Sequence, residues 1–399
     1  MHMRNLRIAI IGGGIGGVTA ALALRQRGFV PRVYEQATAL QEIGAGIQVT
    51  PNSTKVLRAL GIEQSLAAAS FEPECISTRD SISGRMVSRV PAKATYAKAF
   101  GAPWYQLHRA DLLDMLVAKL PAGIVRTGVR CTGVSLAPKG AVLSFADGRH
   151  EEVDVVIGAD GIHSVVREVL FGKEKPRFTG HMCWRALVPT DALPRGHVAP
   201  DLTAWMEPRA HVITYYVRGG NLVNVVAFRE TKEWVAESWS IESDPFELRS
   251  AYSHVHPDLK LILDRVPRCF KWGVFDRNPL PRWTRGCATL LGDAAHPMLP
   301  FLAQGAAMSI EDGYVLAREL ARGDGVAPAL ARYEAERRPR ASRVQLAARA
   351  QGKAIHFHSR WEGLKRKLGL YRRGGKNAEQ LKRDWIFAYN PVEPARASA

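Results

Sequence analysis

The glycine-rich segment Gly12–Gly17 (GGGIGG) has the GxGxxG spacing that binds the pyrophosphate of a dinucleotide. In this pattern Gly12 permits a tight turn, Gly14 lets the pyrophosphate approach the backbone, and Gly17 lets a strand and a helix pack closely. The N–H groups that open the following helix favour a negative charge. Glu35 follows Gly14 after about 20 residues, where a carboxylate accepts hydrogen bonds from an adenosine ribose. We therefore predict a dinucleotide site here instead of a plain glycine-rich turn.

Two later segments also combine glycine with an acidic residue: Gly158–Arg167 (GADGIHSVVR) and Gly292–Pro297 (GDAAHP). Each follows an apolar run typical of a buried strand, and ligands of doubly wound sheets collect at the carboxyl ends of such strands. We therefore expect both segments to meet the same cofactor. A carboxylate at Asp293 needs hydrogen-bond donors, which a polyol chain supplies, and a helix N-cap is the alternative. For Asp160 the alternative is an ion pair with Arg167 that braces the loop.

The elements that would position these motifs alternate between strand and helix. We predict a strand at Arg7–Ile11, a helix at Val18–Arg27 and a strand at Pro31–Glu35, and further buried strands at Val153–Gly158 and Ala288–Gly292. This order is typical of a parallel α/β sheet with right-handed crossovers.

The middle of the chain predicts an antiparallel sheet. Val212–Val217 and Leu222–Phe228 are strand candidates, and Arg218–Asn221 between them has the residues of a hairpin turn. After about Pro328 the sequence becomes helical and rich in arginine, and Asn390–Ala399 has the character of a frayed tail.

The three motifs and His108–Leu112 (HRADL) resemble the fingerprints of the single-component (class A) FAD-dependent aromatic hydroxylases, which have the para-hydroxybenzoate hydroxylase fold. In that family the residue matching Glu35 binds the adenosine ribose, the arginine matching Arg109 contacts the cofactor, and the aspartate matching Asp293 binds the flavin's ribityl chain. Asp160 lies in the motif that the family uses for both FAD and the pyridine nucleotide.

The resemblance implies a monooxygenase reaction. NADH or NADPH would bind transiently and reduce FAD, O2 would add to give a C4a-hydroperoxyflavin, and its distal oxygen would attack an electron-rich ring carbon of a small aromatic substrate. A glutathione-reductase-type enzyme is disfavoured, because it would also need a redox pair resembling CxxC. The five cysteines are scattered and form neither that motif nor a disulfide framework or a metal site.

His211 and Tyr215 are candidates for handling the substrate, because residues at alternate positions of a strand share one face. A His and a Tyr at this spacing resemble the active-site pair in the branch with salicylate hydroxylase, 3-hydroxybenzoate 6-hydroxylase and 6-hydroxynicotinate 3-monooxygenase. The resemblance implies that His211 accepts the proton or the hydrogen bond of a ring hydroxyl, and that Tyr215 orients the ring or its carboxylate. A purely structural histidine is the alternative.

Other residues near these motifs also acquire roles from the resemblance. The segment Gly44–Gln48 (GAGIQ) is similar to the loop beside the isoalloxazine ring, although Gln48 stands where 6-hydroxynicotinate 3-monooxygenase has a histidine. His296 is expected to be structural. Arg185 or Arg218 would pair with the carboxylate of a benzoate-type substrate.

A helix predicted over about Ala306–Leu320 follows the third motif. Its first N–H groups would stabilise negative charge on the flavin. Gln304 would then lie close to the flavin ring, as a third catalytic candidate, and Gly305 and Ala306 would bind the cofactor.

Together these features predict an α/β fold: a Rossmann-like FAD-binding domain with a parallel sheet, an inserted antiparallel β-sheet substrate domain, and a C-terminal helical segment. The predicted ranges are 1–174 and 271–327 for the FAD-binding domain, 175–270 with part of 76–100 for the substrate domain, and 328–399 for the helical segment.

Composition narrows the remaining function classes. The 399 residues are 46% hydrophobic and 23% charged, which is typical of a soluble globular protein, and no apolar run is long enough to span a bilayer. We expect a cytoplasmic monomer or homodimer. The net charge of +17 attracts anions of any kind, but no nucleic-acid recognition motif accompanies it, so we predict no nucleic-acid partner.

Much of the positive charge lies late in the chain, at Arg337, Arg338, Arg340, Arg343 and the basic residues of 365–383. We expect a solvated basic face on helices, with weak contact to anionic lipid or a dimer contact as alternatives. Two rival functions also remain at this point: a flavin-dependent epoxidase or oxidase of a non-aromatic substrate, and a non-catalytic flavin-binding protein.

Overall fold

The computed structural model of the chain describes residues 3–40, 45–232, 241–358 and 384–393. Its strands are β1 (Ile8–Ile11), β2 (Arg32–Tyr34), β3 (Gly46–Val49), β4 (Cys75–Asp80), β5 (Met86–Pro91), β6 (Tyr105–His108), β7 (Val125–Arg126), β8 (Cys131–Ala137), β9 (Gly140–Phe145), β10 (His150–Val153), β11 (Val155–Gly158), β12 (Arg177–Pro189), β13 (Leu202–Glu207), β14 (Ala210–Val217), β15 (Leu222–Glu230), β16 (Glu242–Ser243), β17 (Cys269–Asp276), β18 (Thr284–Arg285) and β19 (Ala288–Leu290). Its α-helices are α1 (Ile15–Gln26), α2 (Pro51–Ala59), α3 (Glu63–Ala69), α4 (Thr95–Phe100), α5 (Arg109–Val117), α6 (Val165–Phe171), α7 (Pro245–Ala251), α8 (Pro257–Asp264), α9 (Gly305–Leu320), α10 (Val326–Ile355) and α11 (Asp384–Phe387).

A six-stranded sheet in the order β18-β19-β11-β1-β2-β7 carries the three motifs. β1 pairs in parallel with β11 and with β2, and every residue of β1 is buried, which explains its apolar, β-branched sequence. The predicted strand Val153–Gly158 is interrupted at Asp154, where the chain passes from β10, which pairs with β9, to β11, which pairs with β1. The Rossmann-like sheet is confirmed.

An eight-stranded, mainly antiparallel sheet forms the second layer, in the order β16-β17-β12-β15-β14-β13-β4-β5. β14 and β15 pair as a hairpin, as their sequence predicts. β4 and β5 come from the first part of the chain and join the far edge of this sheet, where β4 runs parallel to β13. β17 continues to Asp276, past the predicted boundary at 270, because it pairs with the long strand β12.

A hydrophobic cluster joins the antiparallel sheet to the helices α9 and α10. This cluster combines side chains of the antiparallel sheet, such as Tyr215 and Trp272, with Leu302 and Met308 from around the start of α9. Packing between the layers therefore fixes α9 against the antiparallel sheet.

Two of the late arginines of α10, Arg337 and Arg340, do not lie on the predicted solvated face. Arg337 is fully buried, and its guanidinium lies 2.5 Å from Glu311 and 2.8 Å from Asp312 on α9. Arg340 is also largely buried and pairs with Glu311 at 2.8 Å. Two acidic residues on the neighbouring helix therefore draw these arginines inward, and Arg343 stays exposed.

The basic residues of 365–383 lie outside the described residues, and so does most of the predicted tail. Among the helices that the structure describes, none combines the length and the apolar character needed to cross a membrane.

Candidate active site

A cavity of about 320 Å³ lies where the two sheets meet. Each of the three motifs contributes to its wall, through Gly14, Gly161 and Asp293. The antiparallel sheet contributes Tyr215 and Phe228. The motifs converge because β1, β11 and β19 are neighbours in one parallel sheet and end at the same edge.

The glycine-rich turn leaves room where side chains would block it. A Cβ on Gly12, whose φ is +108°, would lie 2.3 Å from the carbonyl oxygen of Ala159, and a Cβ on Gly17 would lie 2.1 Å from the carbonyl oxygen of Gly12. Around Gly14, the N-cap residue of α1, no atom lies within 4 Å of such a Cβ, and α1 has no side-chain cap. The start of α1 therefore lines the cavity with open space beside Gly14, as a pyrophosphate at a helix N-terminus requires.

Glu35 lies directly after β2 and close to this turn. Its carboxylate accepts hydrogen bonds from the backbone N–H groups of Gly13, at 2.7 Å, and Ala37, at 2.8 Å. A carboxylate has about four acceptor positions, so these two bonds leave capacity for a ribose hydroxyl.

Asp160 uses its carboxylate to hold the start of α6. It accepts hydrogen bonds from the Ser164 hydroxyl at 2.5 Å and from the Val165 N–H at 2.7 Å, and burial raises its pKa. Arg167 pairs instead with Glu174, so the alternative of an Asp160–Arg167 ion pair is wrong.

Asp293 follows β19 in a short turn, and its side chain is open to the cavity. Protein surrounds the carboxyl on its other sides, and this desolvation raises its pKa, although the charges of His296 and Arg109 oppose the shift. The N-cap of the turn is Leu291, so the N-cap alternative does not describe Asp293. A carboxylate in this position suits a hydroxyl-rich ligand.

His296 makes a buried structural contact, in line with the structural role that the family resemblance implies. Its Nε2 lies 2.6 Å from the carboxylate of Asp312, which also accepts a 3.1 Å hydrogen bond from the N–H of Gly292. The pair is fully buried and holds the third motif against α9.

The structure corrects the expected position of Gln304. Its side chain is fully buried, its Nε2 donates to the Thr50 hydroxyl at 3.0 Å, and its Oε1 accepts from Asn52 at 3.0 Å. Both ends of the amide are thus bonded to the segment that opens α2, and Gln304 is not part of the cavity wall. The next two residues, Gly305 and Ala306, do line the cavity and open α9.

Gly46 and Gln48, in the segment expected to lie beside the flavin ring, contact the antiparallel sheet. Both lie on β3 and line the cavity, whereas Gly44 lies outside the described residues. The Gly46 N–H donates a 2.7 Å hydrogen bond to the side chain of Asn224 on β15, and Gln48 contacts the hydroxyl of the buried Tyr215. Burial raises the pKa of Tyr215 well above its ordinary value, so the phenol stays protonated.

His211 lies on the same strand face as Tyr215, but unlike Tyr215 it is not among the residues that line the cavity. Only 3% of the residue is exposed, and its ring stacks on Phe228 at 4.7 Å between centroids. Phe228 lines the cavity, and the Nδ1 atom of His211 lies 3.1 Å from His356. The structure therefore places His211 directly beside the cavity wall.

The two candidate partners of a substrate carboxylate lie in different places. Arg185 lines the cavity, and its guanidinium carbon lies 4.8 Å from the ring centroid of Trp272, which also lines it. Arg218 lies at the surface and pairs with Asp111 at 2.9 Å. Of these two arginines, Arg185 is the one that lines the cavity.

Sequence reasoning missed Asn224 and Trp272. A signal existed for Asn224, because it is the one amide in the otherwise apolar run Leu222–Phe228. No such signal marks Trp272, whose role depends on the pairing of β17 with β12.

The described part of the chain contains no grouping of His, Cys, Asp and Glu that could hold a metal ion. Its donor set instead fits a flavin dinucleotide: an open cradle at Gly14, a carboxylate at Asp293, a cation at Arg109 and a helix start at Gly305.

Comparison with known proteins also indicates an FAD-binding monooxygenase. A family model described as "FAD binding domain" matches residues 5–348. The chain is 41% identical to 3-amino-4-hydroxybenzoate 2-monooxygenase PtnB3 of Streptomyces platensis, over 88% of this chain and 89% of that protein. It is 40% identical to 6-hydroxynicotinate 3-monooxygenase of Pseudomonas fluorescens, over 85% and 89%. Among solved structures, HpxO of Klebsiella pneumoniae complexed with FAD and uric acid matches with a TM-score of 0.84 and 25% identity, over 96% of both chains.

Proposed function

Since this chain belongs to the FAD-binding domain family and is an FAD-dependent aromatic-ring monooxygenase, we propose that its substrate is a phenolic or heteroaromatic acid. NADH or NADPH is the reductant and O2 the oxidant. The monooxygenase class that the motifs predict is confirmed, and the non-catalytic and non-aromatic alternatives are disfavoured.

The observation that carries this proposal is the position of Arg185. The guanidinium lies over the Trp272 ring within the cavity, and its positive charge also acts on Tyr215. A cation beside an aromatic wall suits a flat ligand that carries a carboxylate, because the guanidinium attracts the carboxylate and the aromatic side chains pack against the ring.

FAD supplies the redox and oxygen chemistry when it is bound. We assign the pyrophosphate to the turn of Gly12, Gly14 and Gly17, the ribose to Glu35, and the ribityl chain to Asp293 with Arg109 nearby. The remaining cofactor contacts in this proposal are Gln48, Gly305, Ala306 and, through the start of α6, Asp160. The N–H groups of Gly305 and Ala306 open a 16-residue helix, so they favour negative charge on the nearest edge of the flavin.

The substrate ring is proposed to lie between the flavin loop and the antiparallel sheet. Tyr215, held by Gln48, orients the ring, and His211 accepts the hydrogen of its ring hydroxyl, which makes the ring more nucleophilic. The apolar side chains of Ile213 and Phe228 exclude water from the reacting carbon.

The experiment is a substrate panel with the purified FAD-loaded protein. Hydroxybenzoates, aminohydroxybenzoates and hydroxynicotinates are each compared with their uncharged amides, using NADH and NADPH in turn. Oxidation of the reductant is followed by absorbance, and ¹⁸O₂ incorporation into product is measured by mass spectrometry. We expect labelled product with at least one acid and much less with its amide. Labelled product from neutral phenols alone would reject the acid proposal. Cytoplasmic location and a monomer or homodimer stay predictions.

A further inference from the structure

Three imidazoles meet beside the cavity, at the end of the strand face that carries Tyr215. The ring centroids of His181 and His356 lie 4.4 Å apart, and those of His211 and His356 lie 4.8 Å apart. Phe301 packs against all three rings. The catalytic candidate His211 therefore has an imidazole partner that comes from the far end of the helix α10.

The hydrogen bonds of this cluster determine which nitrogen of each ring carries a proton. Nδ1 of His356 lies 3.0 Å from the carbonyl oxygen of Gly352, and a carbonyl can only accept, so Nδ1 of His356 is the donor. Nε2 of the neutral His356 ring is then an acceptor. It lies 3.1 Å from Nδ1 of His211, which must donate. The other nitrogen of His211, Nε2, is left with its lone pair.

We propose that His356 is a positioning residue, which fixes His211 in the tautomer whose Nε2 accepts the hydrogen of the substrate's ring hydroxyl. The inference rests on the proposed function, because it deepens the role of His211 there. When the proton moves, the O–H bond of the substrate breaks, an N–H bond forms at Nε2, and the phenolate and the imidazolium balance each other's charge.

The surroundings keep this cluster neutral in the resting protein. Burial lowers the pKa of His211 well below its ordinary value and the pKa of His356 to about 4, and the neighbouring imidazoles reinforce both shifts. Burial likewise lowers the pKa of His181, although the negative charge of Glu230 opposes this shift. The exposed His358 lies 3.4 Å from Glu230. Two neutral rings can share only one hydrogen between Nδ1 and Nε2, so the tautomers of His356 and His211 are coupled.

The backbone holds His356 in place. The carbonyl oxygen of Phe357 accepts a 3.0 Å hydrogen bond from the N–H of Arg209, in the turn that leads into β14. This bond ties the end of α10 to the strand that carries His211, so the two rings keep their relative position.

The direct test reads the tautomer by nuclear magnetic resonance of protein with ¹⁵N-labelled histidine, loaded with FAD and without substrate. His211→Gln identifies the His211 signals by their loss. We expect a protonated Nδ1 and an unprotonated Nε2 in the wild-type protein and in His181→Phe, and a change toward the protonated Nε2 in His356→Leu. An unprotonated Nδ1 in the wild type, or no change in His356→Leu, overturns the inference. This readout needs no turnover, so its failure is separable from failure of the proposed function.

Activity supplies the second readout. With an acid that the panel identifies, His356→Leu should lower the kcat of coupled hydroxylation about 10-fold or more, at equal FAD content, because a misoriented base loses its catalytic contribution. His356→Gln offers an amide oxygen to His211 and should restore most of that loss. Equal losses in the two variants would indicate that His356 has only a packing role.

Discussion

Gly46 and Tyr215 lie so close that a Cβ on residue 46 would be 2.7 Å from the Tyr215 hydroxyl oxygen. The same Cβ would lie 2.6 Å from the side chain of Asn224. Gly46 belongs to the strand that lines the cofactor side of the cavity, and Tyr215 belongs to the antiparallel sheet. This contact therefore sets the distance between the two sides of the proposed active site.

We expect Gly46→Ala to separate these sides and to reduce coupled hydroxylation. Tyr215 and Asn224 are both buried and cannot move freely, so the added methyl group displaces β3. A misplacement of about 1 Å near reacting groups lowers rates by about 100-fold. The measurement compares product with the reductant consumed, since misalignment should raise uncoupled peroxide formation. Gly133→Ala is the control, because its Cβ would meet only one atom, at 3.9 Å. An unchanged coupling ratio in Gly46→Ala would contradict the proposed arrangement.

Asp293→Asn should weaken cofactor binding. Loss of a charged acceptor for hydroxyl groups should weaken FAD binding about 10-fold, as measured by fluorescence titration of the apoprotein.

A matched control for this variant is Asp147→Asn. Asp147 is exposed and pairs with Arg149 on its own turn. The Asp147→Asn variant should leave FAD binding unchanged. Normal FAD affinity in Asp293→Asn would remove Asp293 from the cofactor site.

The motifs of the parallel sheet could be predicted because their geometry is local. A glycine turn between a strand and a helix is determined by residues adjacent in sequence, so Gly14 lies where its spacing indicates. The convergence of Asp293 on the same cavity needed only the rule that parallel strands end at one edge.

Side-chain partners that come from distant elements could not be predicted in the same way. Gln304 lies next to the cavity in sequence, but Thr50 and Asn52, about 250 positions earlier in the chain, bind its amide. His356 is separated from His211 by 145 positions, and no periodicity links a helix end to a strand. Such pairs depend on how the layers pack.

Arg337→Met should lower the stability of the protein strongly. Removal of the Arg337 guanidinium leaves the carboxylates of Glu311 and Asp312 buried with one fewer cation. Breaking such buried pairs costs about 3–5 kcal/mol. Burial alone would raise the pKa of Asp312, but His296, Arg337 and the hydrogen bonds outweigh it and lower the pKa. The stabilisation that comes from the ionised Asp312 is present at neutral pH. It is lost as the pH falls through the folded-state pKa of Asp312.

The measurement is urea unfolding at pH 7 and at about pH 3, below the ordinary pKa of an aspartate, with Arg338→Met as the control. Arg338 is the next residue of α10, but its side chain is 38% exposed and its contact with Glu334 is 3.6 Å long. The control should change the free energy of unfolding by less than about 1 kcal/mol. Similar effects of both substitutions would contradict the buried network.

Arg185→Gln tests the carboxylate site. Hydrogen bonds to a charged group contribute about 1.5–3 kcal/mol, so the KM of the acid substrate should rise about 10- to 100-fold while kcat changes less. The KM of the matching amide should hardly move, so the preference for acid over amide should collapse. Arg218→Gln removes the other arginine, which pairs with Asp111 at the surface, and should leave both KM values as they are. If Arg218→Gln abolishes the preference and Arg185→Gln preserves it, the substrate carboxylate does not lie beside Trp272.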